Sequence, residues 1–187
     1  MKKISVLLLF VLVFQFISCD KSKNIEKEEI QQKKNIFTVE INAIINEKDV
    51  ICLYYKDNSI SFFNEEMAIY KNIEKSNVPQ TIVFELPENF IPNDFRFDLS
   101  HVNPNQKMKI NTINFSFKGE EFDINNIDLE KYFTNNEGVV FNETDRFFSF
   151  QKTKEGNYDP FLTTTGQFYP LLEKLVGIGA FQPPVNQ

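Results

Sequence analysis

Met108-Lys109-Ile110-Asn111-Thr112-Ile113-Asn114-Phe115-Ser116-Phe117 is the stretch whose pattern decides the fold. Side chains of a strand point alternately to two faces, so apolar residues at every second position mark a strand with one buried face. Met108 and Ile110 share one parity, whereas Ile113, Phe115 and Phe117 share the other. A slip of one residue would turn every later side chain to the wrong face, so the change of parity predicts a bulge or bend near Asn111-Thr112.

The same alternation recurs on both sides. Phe95, Phe97 and Leu99 alternate with Arg96, Asp98 and Ser100, and an Asn-Pro-Asn turn at 103–105 follows. Lys118-Gly119-Glu120 turns into Glu121–Ile124, which reads as a hairpin. Upstream, Phe37, Val39, Ile41 and Ala43 predict a strand, then a turn at 46–49, then a strand over Val50–Lys56. Further strands are expected at Ile60–Phe63, more weakly at Met67–Ile73, and at Thr81–Leu86, which Pro87 closes because proline cannot donate to a ladder. Downstream come a helical turn at Leu129–Phe133, strands at Val139–Phe141 and Arg146–Gln151, and a short helix at Gln167–Val176 with a loose tail. Eight or nine short strands without a long helix between them predict an all-β fold. The expected form is an antiparallel two-sheet β-sandwich, jelly-roll-like, over 35–162, followed by a C-terminal helix and tail over 163–187. A closed barrel is the alternative.

The start of the chain belongs to a different class. Lys2 and Lys3 precede an apolar run of 14 residues, Ile4–Ile17, and then Ser18-Cys19. A basic head, a short apolar core and a small residue at the cut describe a secretory signal peptide over 1–18. The run is shorter than the roughly 20 residues that span a bilayer as a helix. Phe16-Ile17-Ser18-Cys19 resembles a lipobox, although it lacks the usual Leu three places before the cysteine. That resemblance implies acylation of Cys19. Two or three acyl chains hold a protein to a membrane that a single chain binds only marginally. Residues 19–34 carry almost only charged and amide side chains and read as a flexible tether. The expected address is the cell envelope, membrane-anchored, at the outer membrane on its periplasmic or external side.

Composition narrows the remaining classes. The formal charge of −6 falls to −8 once Lys2 and Lys3 are removed, and no basic cluster interleaved with aromatics is present, so nucleic acid is not an expected partner. Cys52 is left alone in an exported chain, inside the apolar run Val50–Tyr54, and is expected to be a small buried hydrophobe. The chain has 21 phenylalanines, three of them in the signal, and no tryptophan. Phenylalanine therefore builds the core.

TIVFELPENFIPNDFRFDLS over 81–100, KINTINFSFKGEEFDI over 109–124 and YDP at 158–160 together resemble β-sandwich modules of Bacteroidota envelope proteins. Those modules are similar to galactose-binding-like jelly rolls of the carbohydrate-module type. The resemblance covers about residues 35–162. It implies a fold and a glycan-rich setting, and it carries no functional residue with it.

Candidate ligand-binding residues come from the pattern itself. Tyr54-Tyr55 and Phe62-Phe63 are adjacent aromatic pairs, and on strands one member of each pair points away from the core and can offer a flat ring to a sugar. Arg96 and Asp98 fall on the outward face of one strand with His101 just beyond, an arrangement that a solvated strand also explains. His101 is the only histidine, so no multi-histidine metal site is expected, and triad catalysis would hang on this residue alone. Glu120, Glu121, Asp123, Asp128 and Glu130 form an acidic cluster suited to glycoside hydrolysis only if held in a cleft. The cluster lacks the spaced calcium-loop pattern. No cofactor is expected. The sequence reads as a non-enzymatic, lipid-anchored β-sandwich that binds a glycan or an envelope component. A structural subunit of an outer-membrane complex is the alternative, with a weak hydrolase behind it. Metabolic labelling with a fatty acid tests the anchor: the chain takes up label and partitions into detergent, and Cys19→Ser does neither. Label retained by Cys19→Ser refutes acylation at this residue.

Overall fold

Residues 35–177 are described by a computed structural model; the expected signal peptide over 1–18, Cys19, the expected tether over 19–34 and residues 178–187 lie outside the described residues. In chain order the strands are β1 (Thr38–Ile45), β2 (Asp49–Lys56), β3 (Ala68–Ile73), β4 (Ser76–Glu85), β5 (Asp94–Asp98), β6 (Lys107–Phe117), β7 (Glu120–Asn125), β8 (Phe133–Asn135), β9 (Val139–Asn142), β10 (Phe147–Phe150) and β11 (Phe161–Thr164). One helical turn, α1 (Leu129–Tyr132), precedes β8, and α2 (Tyr169–Val176) follows β11. The strands make two antiparallel sheets. The first runs β4-β1-β6-β10-β9 with β7 also paired to β6, and the second runs β3-β2-β5-β11-β8. The protein is an all-β sandwich with a short C-terminal helix.

The parity change in β6 is resolved at the expected place. Asn42 of β1 pairs with Thr112 and Ala43 with Ile110, leaving Asn111 as the extra residue of a bulge. Ile110 and Ile113 both reach the core as a result. The turn from β6 to β7 has positive φ at both Lys118 (52°) and Gly119 (83°), the backbone of a two-residue type I′ hairpin. Helix α2 ends where Gly177, at φ 67°, takes the left-handed conformation and returns its N–H to the Glu173 carbonyl at 3.0 Å.

One expectation needs correction. Ile60–Phe63 is not a strand, because β2 pairs directly with β3 from Asp49↔Ile73 to Tyr54↔Ala68 and leaves the segment between them as a loop. Phe62 stands 82 % exposed in that loop. In addition, β8 and β11 are too short to show an apolar alternation, yet they complete the second sheet through Thr163↔Thr134 and Leu162↔Phe97.

Phenylalanines join the two layers. Phe95 of β5 lies 5.5 Å, centroid to centroid, from Phe115 of β6, and both touch Phe168 at the start of α2, at 5.9 and 5.0 Å. Burying one such ring contributes about 1.5–3 kcal/mol, and tilted or edge-on pairing adds roughly 0.5–1.5 kcal/mol. Leu172 and Leu175 of α2 enter the same core, so the C-terminal helix closes the sandwich.

Polar residues secure one end. The buried Asp49 carboxylate accepts the N–H groups of Val50 (2.7 Å), His101 (3.2 Å), Val102 (3.0 Å) and Asn103 (3.3 Å), and the Ser100 hydroxyl donates to it. The buried Gln106 accepts from the Glu47 N–H at 3.0 Å and donates to its carbonyl. The β1–β2 turn and the β5–β6 loop are thereby locked together, which sets the position of His101. Replacing Phe115 by Ala is expected to cost about 3–5 kcal/mol in urea unfolding, whereas Phe62→Ala costs no more than about 0.5 kcal/mol. Equal losses in the two variants would contradict this core.

Candidate functional site

Strand β2 is buried on both faces, and this decides where its aromatics go. Ile51, Leu53 and Tyr55 enter the core between the sheets. Tyr55 meets Phe90 edge-on at 5.0 Å and is closed off as a sugar platform. Cys52 and Tyr54 point the other way, onto the outer face of the second sheet. Tyr54 is nevertheless only 8 % exposed, so the outward member of this pair is not an open ring either.

Neighbouring strands and loops roof Tyr54. Asn64 caps the short 3-10 turn Glu65–Met67 by accepting the Glu66 N–H at 3.0 Å, and this places Glu65 above the sheet. The Tyr54 and Tyr70 hydroxyls each donate to Glu65 at 2.6 Å, to Oε1 and Oε2 respectively, and lie 3.0 Å from one another. Those two donated bonds hold the Glu65 carboxyl below its ordinary range. Burial, and then the bond to Glu65, push the Tyr54 hydroxyl well above its own. The bond to Glu65 raises Tyr70 to about 12. Both phenols are therefore protonated donors at neutral pH.

Arg96 forms the centre of the face. Pairing of β5 with β2 and β11 sets it between Tyr54 and Phe161, and its guanidinium lies 5.4 Å from the first ring and 3.9 Å from the second. Its Nε donates to Asp98 Oδ1 at 2.7 Å and its Nη2 to Asp98 Oδ2 at 2.9 Å. Nη2 also donates to Asp159 Oδ1. Burial lowers the basicity of Arg96, and the bonds to Asp98 outweigh it. Burial lifts the Asp98 carboxyl above its usual range although Arg96 draws it down. The bidentate geometry is that of an ion pair. His101 completes the rim, edge-on to Tyr70 at 5.7 Å.

The structure thus brings Tyr54, Arg96 and Asp98 together, places His101 beside them and sends Tyr55 elsewhere. Arg96 and Asp98 are more than polar residues on a solvated strand, since the Asp98 carboxylate is almost wholly buried. Glu65, Tyr70, Asp159 and Phe161 complete the face and had no sequence signal as a group, because a 3-10 turn, β3, the loop before β11 and β11 itself deliver them. The accessible members are Glu65, Tyr70 (43 % exposed), His101 and the Asp159 side chain, 49 % exposed.

The acidic cluster is dispersed. Glu120, Glu121 and Asp123 lie along β7 and its hairpin, Asp128 ends a 3-10 turn, and Glu130 sits on α1. Among the described residues no group of three or more His, Cys, Asp or Glu side chains is placed to hold a metal ion. A half-open crevice lined by Leu129, Glu130, Phe133, Phe141, Phe148 and Leu162 has room for about one water molecule.

Cys52, beneath this face, has its thiol pushed up to about 12 by burial and then by the nearby Asp98 charge. At pH 8 that leaves on the order of one thiolate in ten thousand, and the thiolate is the reactive form. In a Cys19→Ser chain at pH 8, Cys52 is expected to resist a disulfide reagent until urea unfolds the protein; prompt labelling of the folded chain would contradict its burial. No protein-family profile matches this chain, and no curated protein or solved structure is significantly similar to it.

Proposed function

We propose that this is a lipid-anchored cell-envelope protein whose β-sandwich binds a glycan, without catalysis, on the outer face of the second sheet. The observation that carries the reading is the fixed Arg96 guanidinium, gripped by Asp98, packed on Phe161 and set beside the exposed Tyr70 ring and Asp159. Sugar recognition combines a flat ring with a few rigidly placed charged or amide groups that reach hydroxyls. Here those groups are held before any ligand arrives, which reduces the ordering cost of binding.

The resemblance of segments 81–100 and 109–124 to carbohydrate-type modules supports the same reading. Lys2, Lys3, the apolar run and Ser18-Cys19 support the anchor and an outer-membrane address, periplasmic or external. No helix among the described residues is long and apolar enough to cross a membrane. A structural subunit of an envelope complex is the second reading, and the exposed Phe62 favours it, since a partner protein would cover that ring.

A glycan array probed with the 35–187 fragment tests the proposal. Binding to at least one polysaccharide is expected, weakened about 3- to 10-fold by Tyr70→Ala through loss of ring stacking. Silence across host and bacterial polysaccharides overturns glycan binding and leaves the protein-partner reading.

A further inference from the structure

We infer that the outer face of the second sheet takes an uncharged sugar through two adjacent hydroxyls and rejects its uronic-acid counterpart. The inference rests on the glycan-binding reading and specifies the ligand class of the same site.

The argument begins with the free valences of Arg96. Its Nε and one hydrogen of Nη2 are taken by Asp98, and the other hydrogen of Nη2 goes to Asp159. Nη1 forms no hydrogen bond among the described residues, and neither does Asp159 Oδ2. The second hydrogen of Nη2 points to the side of the planar fork that Nη1 occupies, so the Asp159 carboxylate stands next to Nη1. A donor and an acceptor are therefore presented side by side on one rigid edge. Neighbouring hydroxyls of a pyranose match that pair, because one accepts from Nη1–H while the other donates to Asp159 Oδ2. The exposed Tyr70 ring lies on the same face, with His101 against its edge.

Charge then selects among sugars. Glu65, Asp98 and Asp159 carry three carboxylates around a single guanidinium, which two of them already neutralise. The face has an excess of negative charge, and the whole chain is acidic as well. Apart from the exposed His101 imidazole, a sugar carboxylate finds no cation here whose charge is not already balanced, and it meets repulsion from Asp159 and Glu65.

The test uses the full-length chain in detergent with matched pairs of polymers: galactan, mannan and glucan against polygalacturonate, polymannuronate and polyglucuronate, at low and high salt. At least one neutral polymer is expected to bind, with its uronate at least tenfold weaker at low salt and the gap narrowing as salt screens the repulsion. Asp159→Asn, a half-exposed substitution of unchanged shape, is expected to weaken neutral binding about tenfold or more and to shrink the discrimination. Equal or tighter binding of the uronate overturns the inference and leaves glycan binding standing. Unchanged neutral binding by Asp159→Asn overturns the diol assignment. Failure of every polymer to bind removes the underlying reading together with the inference.

Discussion

The contact between Phe95 and Phe115 connects the two sheets, and the rest of the molecule is arranged around it. The rings come from β5 and β6, which are consecutive in the chain but belong to different layers. Once Phe95 and Phe97 face inward, Arg96 and Asp98 must face outward, because neighbouring residues of a strand occupy opposite faces. The same rule acts on β2, where Ile51, Leu53 and Tyr55 go in and Cys52 and Tyr54 go out. The outer face of the second sheet is thus a consequence of how the core is packed.

What covers that outer face is unusual for a sandwich edge layer. A solvated sheet surface would leave Tyr54 and Asp98 in water. Here Glu65, Tyr70 and Arg96 lie over them, and β2 is buried on both sides. Buried ion pairs add little net stability, because desolvation offsets most of their attraction, while removing one partner leaves an uncompensated charge. The Arg96–Asp98 pair is better understood as fixing a geometry than as stabilising the fold. Stability comes from the phenylalanine core and from the Asp49 and Gln106 bonds that secure one end of the sandwich.

Location and recognition are divided between parts of the chain. The proposed lipid anchor at Cys19 and the charged residues 19–34 give an address, and the proposed binding face gives a reason for being there. The acidic cluster that first suggested hydrolysis is spread over β7, a 3-10 turn and α1, whereas the groups gathered on the second sheet come from residues 54 to 161.

Local pattern was enough to read the sandwich, the bulge at Asn111 and the hairpin at Lys118-Gly119, because parity and turn chemistry are properties of neighbouring residues. Arg96 and Asp98 were legible as an outward pair for the same reason. The segment Ile60–Phe63 misled, since an apolar run specifies a strand only if a partner is available, and β3 takes that place beside β2. Strands β8 and β11 gave no signal because three or four residues cannot establish a period. The site was only half visible. Tyr54 and Tyr55 form an identical pair of letters in the sequence, and which of them is core, which is roofed, and which loops bring Glu65, Tyr70 and Asp159 to Arg96 depend on strand order across the sheet. Sequence by itself determined the fold class and the phenylalanine core, both of which follow from local period and composition. Tertiary structure alone decided which residues meet on the proposed binding face, because they lie up to about a hundred residues apart and meet only through long-range pairing of β3, β2, β5 and β11.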